Sequence, residues 1–368
     1  MRCEIKLPTD VGYYLSLTYM VELTFGEEKE GMKFVAKILP EDKFTKRFFD
    51  LHSLYRNEIM FYKKLSRNFG NMCPKCVLTV SEPGETTTII LEDVSQFGFR
   101  GVPNRKILGM RRIVAAAQAI GRFHGVGYVM REKDPEKFFE SVGKLAEAKY
   151  RSAPRTERAK LYIDGISARP VNYLKSLNYD PVFCEKMSTI LGDAWSSILL
   201  DCLKPRNELA VLCHGDYTSG NILFREKRGG DDGFDVKLID FAEVKYASPA
   251  IDLSTFLYLG CTKEERQNFE VIFKAYHDAV VQFLDENGIE VLHKYSIEAF
   301  LEDWKRHAVF GCEIAIFFTP VLYFEGESPA ELTDRIQHSL NSGGDTVSKI
   351  LADILLEAKD NGYLDHML

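Results

Sequence analysis

The chain has 368 residues, 45% of them hydrophobic and 27% charged, which is soluble globular composition and enough for one large domain or two lobes with a proper core. Lys and Arg number 47 against 54 Asp and Glu, a formal charge of -7, and no basic cluster is dense enough to make a nucleic-acid surface. The opening MRCEIKLPTD places charges and a proline where an export signal needs an apolar run, and the eight scattered cysteines do not form a small-scaffold pattern; reduced thiols and a cytoplasmic location are the expectation.

In chain order, Tyr13 to Phe25 and Met32 to Leu39 are rich in aromatic and branched residues around the polar turn GEEKEG, which predicts a hairpin. Between Asp42 and Phe69, Phe44, Phe48, Leu51, Leu54, Tyr55, Ile59, Tyr62 and Leu65 recur at steps of three and four, the period of one amphipathic helix. Lys75 to Val80 and Thr86 to Leu91 are two more strands, joined by the turn SEPGE. The first lobe is therefore expected to run β-β-α-β-β.

CPKC, Cys73 to Cys76, has half a zinc-site spacing, but no second CxxC or HxxxH follows, and coincidence is the better reading. Helical periodicity prevails from residue 104: Asn104 to Met130, Pro135 to Ala148, Thr156 to Leu177, Pro181 to Leu203, and four or five more helices after Ser248. Only residues 210 to 240 interrupt it, with strands at Leu209 to Cys213, Asn221 to Phe224 and Phe234 to Ile239, the last two around the hairpin tip REKRGGDDG. The most apolar stretch, Ala308 to Phe324, is shorter than the roughly 20 residues of a membrane span and holds Glu313 and Pro320, so a buried helix is expected and no membrane span.

The interrupting region carries the chemistry. HGDYTSGN, His214 to Asn221, places an Asp and, five positions later beyond a tight loop, an Asn; LIDF places Asp240 at the end of an apolar strand. Phosphoryl transfer needs a carboxylate to take the acceptor hydroxyl's proton and oxygen ligands for Mg²⁺, which Asp216, Asn221 and Asp240 would supply. Upstream, FVAKIL sets Lys37 among apolar strand residues, where a cation needs a partner; Glu58, 21 residues on in the next helix, is the expected ion-pair partner and the α- and β-phosphates of ATP the expected task. Each feature alone has a bland reading as a solvated charge. Lysine strand, glutamate helix, two strands, linker, helices, HxDxxxxN and IDF is instead the order of a bilobal kinase.

The motifs LCHGDYTSGNILF and LIDFAEVKYASPAIDLSTFLY resemble the kinase-like phosphotransferases that include aminoglycoside and choline kinases, and more narrowly the ecdysteroid kinase-like, or choline-kinase-like, family; the likeness runs from about Tyr13 to Leu259. It implies an α+β, bilobal protein-kinase-like fold with a small β-rich nucleotide-binding lobe (1–93) and a large, mainly helical catalytic and acceptor-binding lobe (94–368). Carried onto matching positions, Asp216 is the base, Asn221 and Asp240 bind Mg²⁺, Lys37 contacts phosphates and Glu58 fixes Lys37. His214 supports the loop, and Asp252 opens a helix behind it where its carboxylate can accept hydrogen bonds from loop backbone; a plain helix-start carboxylate is the other reading of Asp252. In LEDV, the backbone C=O of Glu92 and N–H of Val94 would hold adenine. His124, at the end of an alanine-rich helix, is expected to be structural.

The pattern departs from the family's at the phosphate loop. There is no GxGxxG; Gly12 lies one position late relative to Ser16, with only eleven residues ahead of it, which points to a missing N-terminal piece and to ATP affinity as the property affected. Ala242 and Ala247 replace the usual glutamine and glycine outside the base and metal positions. The resemblance implies ATP as donor, Mg²⁺, and a small-molecule alcohol acceptor, an ecdysteroid or related polycyclic alcohol, in hormone inactivation, storage or detoxification. A choline- or ethanolamine-type kinase and a ligand-binding pseudokinase without turnover are the alternatives. Tyr258, Phe256, Trp304, Phe310, Phe317, Phe318, Tyr323 and Phe324 would line a greasy acceptor pocket or make helix-helix core.

Overall fold

The computed structural model describes residues 2–7, 16–24, 31–40, 50–82, 84–102, 108–150, 156–227, 233–291, 293–324 and 331–368. Five strands form one antiparallel sheet: β1 (Arg2–Lys6), β2 (Leu17–Thr24), β3 (Met32–Ile38), β4 (Cys76–Val80) and β5 (Thr88–Glu92), in the order β1-β2-β3-β5-β4. The sequence reading missed β1, whose RCEIK offers one apolar residue; it forms because every one of its residues pairs with β2. β1 lies ahead of Gly12 in the chain. Gly12 itself lies outside the described residues.

β3 is the central strand, which puts Lys37 mid-sheet, opposite Thr18 on one side and Ile89 on the other. Asp50 caps helix α1 (Leu51–Met60), its Oδ1 accepting the Ser53 N–H at 3.2 Å. Leu51, Leu54, Tyr55, Glu58 and Ile59 are its buried stripe, so Glu58 occupies a slot that spacing reserves for an apolar residue. The helical run then widens into a π segment, Phe61–Leu65, that buries Phe61, Tyr62 and Leu65. The stretch 41–49, predicted as the first turns of this helix, lies outside the described residues.

The second lobe is mainly helical: α2 (Met110–Lys133), α3 (Pro135–Val142), α4 (Thr156–Ser167), α5 (Arg169–Ser176), α6 (Pro181–Leu191), α7 (Ala250–Gly260), α8 (Lys263–Arg266), α9 (Phe269–Glu286), α10 (Ile297–Leu322), α11 (Leu332–Asn341) and α12 (Gly344–Asp360). The predicted helix Thr156 to Leu177 breaks at Ala168, where Pro170 starts the next helix within its first turn and so lacks an interior N–H to lose. The predicted helix to Ala148 ends at Val142, and Pro181 to Leu203 ends at Leu191, with a π segment at Trp195–Leu200. Helices α7 and α10 meet at Gly311, where a Cβ would lie 2.2 Å from the Ser254 carbonyl carbon.

The apolar stretch Ala308 to Phe324 is largely the buried part of α10, and no described helix is long and apolar enough to cross a membrane. Phe256, Tyr258, Trp304 and Phe310 are buried in core, whereas Phe317, Phe318, Tyr323 and Phe324 are half-buried near the end of α10.

Four short strands set the site. β6 (Val211–Cys213) pairs with β9 (Lys245–Ala247), a strand the sequence reading missed, and β7 (Ile222–Glu226) pairs with β8 (Phe234–Leu238). The pairs Cys213/Lys245 and Ile222/Leu238 close both ends of two loops at once, so residues 214–221 and 239–244 are held side by side. The linker after β5 joins this scaffold through the mutual backbone bonds of Arg100 and Phe224 at 2.9 and 2.8 Å.

Candidate active site

The two lobes meet on Lys37. Its Nζ lies 2.6 Å from Glu58 Oε2 and 2.9 Å from Asp240 Oδ1, so one ammonium joins the sheet, helix α1 and the loop after β8. Burial alone would lower its pKa, but Asp240 and Glu58 more than offset this and raise it, so Lys37 is a fixed charge. Glu58, 1% exposed, has its pKa raised by burial and is kept serviceable by Lys37. Burial would raise Asp240 as well, yet the Lys37 ammonium holds its carboxyl below the usual range.

Asp240 has φ +68, a left-handed conformation that a short polar residue tolerates far better than a branched one. That turn aims the carboxylate into the cleft, where its side chain is 42% exposed, while Phe241 turns inward. The Phe241 ring stacks on Phe61 at 3.8 Å and 12°, with the Phe123 and Tyr62 rings of the same aromatic cluster at centroid separations of 6.0 and 5.8 Å. The aspartate is therefore positioned by a packed floor and a cation.

Across the cleft, the Asn221 side-chain amide donates to Asp216 Oδ2 at 2.8 Å and to the Asp216 carbonyl at 2.9 Å. This leaves the Asn221 amide oxygen without a hydrogen bond among the described residues. Thr218 N–H donates to the Asp216 carbonyl and Asn221 N–H to the Thr218 carbonyl, each at 2.9 Å, which tightens the loop. Burial raises the pKa of Asp216, and the nearby Lys149 partly offsets it.

His214 is fully buried and both ring nitrogens are engaged. Nε2 lies 3.0 Å from the Ile239 carbonyl, which can only accept, so that nitrogen carries the proton; Nδ1 then accepts the Asp216 N–H at 3.4 Å. Burial lowers its pKa and keeps the ring neutral. The imidazole thus ties the Asp216 loop to the Asp240 loop and has no nitrogen left for a substrate proton.

Asp252, in the first turn of α7, accepts the backbone N–H groups of His214 and Gly215 at 2.6 and 2.8 Å. Its Oδ2 also lies 3.1 Å from His124 Nε2, whose Nδ1 meets the Tyr276 hydroxyl at 2.9 Å. Of the two readings of Asp252, the geometry places it on the loop backbone. His124, Cys213 and Asp252 cluster closely enough to suggest metal ligands, but His124 and Asp252 spend their polar atoms on these bonds and Cys213 Sγ faces the Ala247 and Ser248 carbonyls.

Glu92 ends β5 with its N–H on the Lys75 carbonyl at 2.9 Å, and its side chain accepts the Lys75 N–H at 3.2 Å. Val94 begins a short 3-10 turn, 4% exposed, beyond Asp93, which caps Ser95 at 2.8 Å. Ser16 precedes β2, its Oγ 3.2 Å from Thr18 Oγ1.

A second charged cluster escaped the sequence reading: Glu147, Lys149, Glu243 and Lys245, with Asn57 bridging Ala146 and Ala242. Its signal was present in AEVKY directly after Phe241, but Lys149 lay just past the end of a predicted helix and gave no periodic cue. Around the cleft, five carboxylates (Glu58, Glu147, Asp216, Asp240, Glu243) now face three lysines (Lys37, Lys149, Lys245). The hard oxygen donors Asn221 Oδ1 and Asp240, in that excess of negative charge, fit Mg²⁺.

The model of the ecdysteroid kinase-like family matches residues 11–289. Comparison with curated proteins finds no match. Among solved structures, the chain is similar to an ethanolamine kinase of Plasmodium vivax at 13% identity and TM-score 0.47, covering 97% of this chain and 81% of that one. It is similar to a choline kinase of Cryptosporidium parvum at 13% identity and TM-score 0.48, covering 98% and 91%. An aminoglycoside phosphotransferase of Streptomyces rimosus, in complex with ADP and streptomycin, matches at 15% identity and TM-score 0.35, covering 81% and 90%.

Proposed function

Because the chain belongs to the ecdysteroid kinase-like family, we propose that it transfers the γ-phosphoryl group of ATP, with Mg²⁺, to a hydroxyl of a small molecule, an ecdysteroid or related polycyclic alcohol. The product would be an inactivated or stored hormone, or a detoxified xenobiotic, in the cytoplasm. The observation that carries the reading is Lys37, shared by Glu58 and Asp240 opposite the Asp216–Asn221 pair.

In this reading residues 1–93 bind nucleotide and residues 94–368 bind the acceptor and carry the base. The backbone of Glu92 and Val94 holds adenine, Gly12 and Ser16 belong to the phosphate loop, and Lys37 holds the α- and β-phosphates in the orientation that Glu58 sets. Asp216 accepts the hydroxyl proton as the acceptor oxygen bonds phosphorus; the bond from phosphorus to the β-phosphate oxygen breaks and ADP leaves. Mg²⁺, held by Asn221 and Asp240, would neutralise charge on the phosphates. His214 and Asp252 hold the loop that presents Asp216.

The test is transfer of label from γ-³²P-ATP to an ecdysteroid by the purified chain and by Asp216→Asn. We expect Mg²⁺-dependent labelling that falls by about three orders of magnitude in the variant, since the positioned base is gone. Labelling of choline or ethanolamine in place of the steroid would overturn the acceptor class, and Asp216→Asn with unchanged turnover would overturn the role of the base.

A further inference from the structure

The catalytic loop has no cation of its own: between Asp216 and Asn221 it runs Tyr217, Thr218, Ser219, Gly220. Tyr217 is fully buried with its hydroxyl on the Ala116 carbonyl at 2.7 Å. Lys37 is committed on the sheet side to Glu58 and Asp240. Charge that develops on a phosphoryl group in flight is best met by positive charge on the acceptor side as well.

The unassigned cluster beside Asp216 holds such a charge. Lys149 Nζ lies 3.1 Å from Glu243 Oε1; Lys245 Nζ lies 2.9 Å from Glu147 Oε2 and 4.0 Å from Glu243 Oε2. The cluster touches the catalytic loop directly, because a Cβ on Gly215 would sit 1.8 Å from the Glu243 carbonyl oxygen and 2.9 Å from Lys245 Cε. Of its four side chains Lys149 is the most open, 21% exposed against 15% for Glu147, 10% for Glu243 and 9% for Lys245.

Two further contacts fix where Lys149 stands. Asn57 of α1 bonds the Ala146 backbone in both directions, at 2.7 and 3.0 Å, and the Ala242 carbonyl at 3.2 Å, so one side chain registers the Lys149 segment against the Asp240 turn. Glu147 accepts the backbone N–H groups of Lys149 and Tyr150 at 3.2 Å each. Glu243 Oε2 is buried with no hydrogen-bond partner, so Glu243 holds Lys149 through one oxygen only. A single contact of that kind is a counterion that an arriving phosphate can replace.

We infer that Lys149 is the acceptor-side phosphate contact of this site, its ammonium reaching the γ-phosphoryl oxygens of bound ATP while Glu243 holds it in place when no phosphate is there. The inference rests on the phosphotransferase reading of Asp216. Lys149 breaks and forms no covalent bond; it supplies charge that ADP, lacking the γ-phosphate, would not meet.

The test is the ratio of Mg²⁺–ATP to Mg²⁺–ADP affinity, measured calorimetrically, which needs no knowledge of the acceptor. Lys149→Met should weaken ATP tenfold or more and leave ADP within twofold. Glu243→Gln, which releases the ammonium from its counterion, should move the ratio the other way, at least twofold toward ATP. A ratio unchanged in Lys149→Met, or equal losses for both nucleotides, would make the cluster a brace and overturn the assignment. Should Lys149→Met fail to fold, Glu243→Gln decides alone, an unchanged ratio overturning it. A wild-type chain that binds neither nucleotide would overturn the kinase reading, and the inference with it.

Discussion

At the scale of single residues, the site is organised by where protons can and cannot go. His214 cannot take one from a substrate, because its Nε2–H is spent on the Ile239 carbonyl and its Nδ1 on the Asp216 N–H. Glu313 shows the same logic in the core. It is fully buried in α10, hydrogen-bonded by the Ser167 hydroxyl through one oxygen, with Oε2 unpartnered, and burial pushes its pKa up to about 8 from an ordinary 4.5. A raised folded-state pKa means that the neutral acid favours folding: its contribution is full below about pH 4.5 and is lost as pH rises through about 8, a change on the order of 5 kcal/mol. Glu313→Gln should remove that slope. Urea unfolding at pH 5 and pH 9 should show wild type losing several kcal/mol more than the variant over this interval, and parallel losses would contradict it.

Residue identity was partly legible in the sequence. Lys37 was legible by standing in an apolar strand, and Glu58 as the carboxylate expected on the helix that follows it. The left-handed turn at Asp240 did not, since any aspartate reads alike until its neighbours fix the backbone. Nor did Lys149, whose meaning depends on Glu243, 94 positions away in the chain.

Among the elements, the loops 214–221 and 239–244 gain their register from β6·β9 and β7·β8, which share their closing pairs. β9, KYA, is three residues long and offers neither an alternation nor the apolar run that marked the equally short β6, which is why it was invisible while β7 and β8 were read within two residues of their ends. Helix starts and stops were blurred for a related reason: Ala168 and Gly192 end helices through local turns inside patterns that remain apolar. Gly215 is the tightest point of the assembly, with φ +84 and the Glu243 carbonyl against its α-carbon. Gly215→Ala cannot relax there without moving backbone, so we expect at least about 3 kcal/mol of destabilisation or a displaced loop. Thermal unfolding together with turnover checks it, and a variant with wild-type values in both would show that the close approach is not held.

For the whole molecule, order along the chain carried more information than any one motif, because the lysine, the glutamate, the aspartate–asparagine loop and the second aspartate sit on four separate elements and meet only where two lobes enclose a cleft. Lys37 is the charged contact that joins those lobes at the cleft, beside the Asn57 hydrogen bonds and the Phe61–Phe241 stack. Removing it leaves two carboxylates, one of them buried, without their counterion, so Lys37→Met should cost about 2–4 kcal/mol of stability as well as nucleotide affinity. Glu58→Gln with Lys37→Met should be more stable than Lys37→Met alone, and a double variant no better than the single one, in denaturant unfolding, would contradict the pairing.

The central claim, an intact site for Mg²⁺ and ATP, is tested most directly by thermal unfolding with ATP and Mg²⁺ added separately and together. Binding to the folded state alone stabilises by about 2.7 kcal/mol at a hundredfold excess over Kd, which for a chain of 368 residues is a rise in Tm of roughly 3–4 °C. We predict that rise only when both are present, and its loss in Asp240→Asn. No shift at millimolar ATP with Mg²⁺, or a shift indifferent to Mg²⁺ and to Asp240→Asn, would contradict the account.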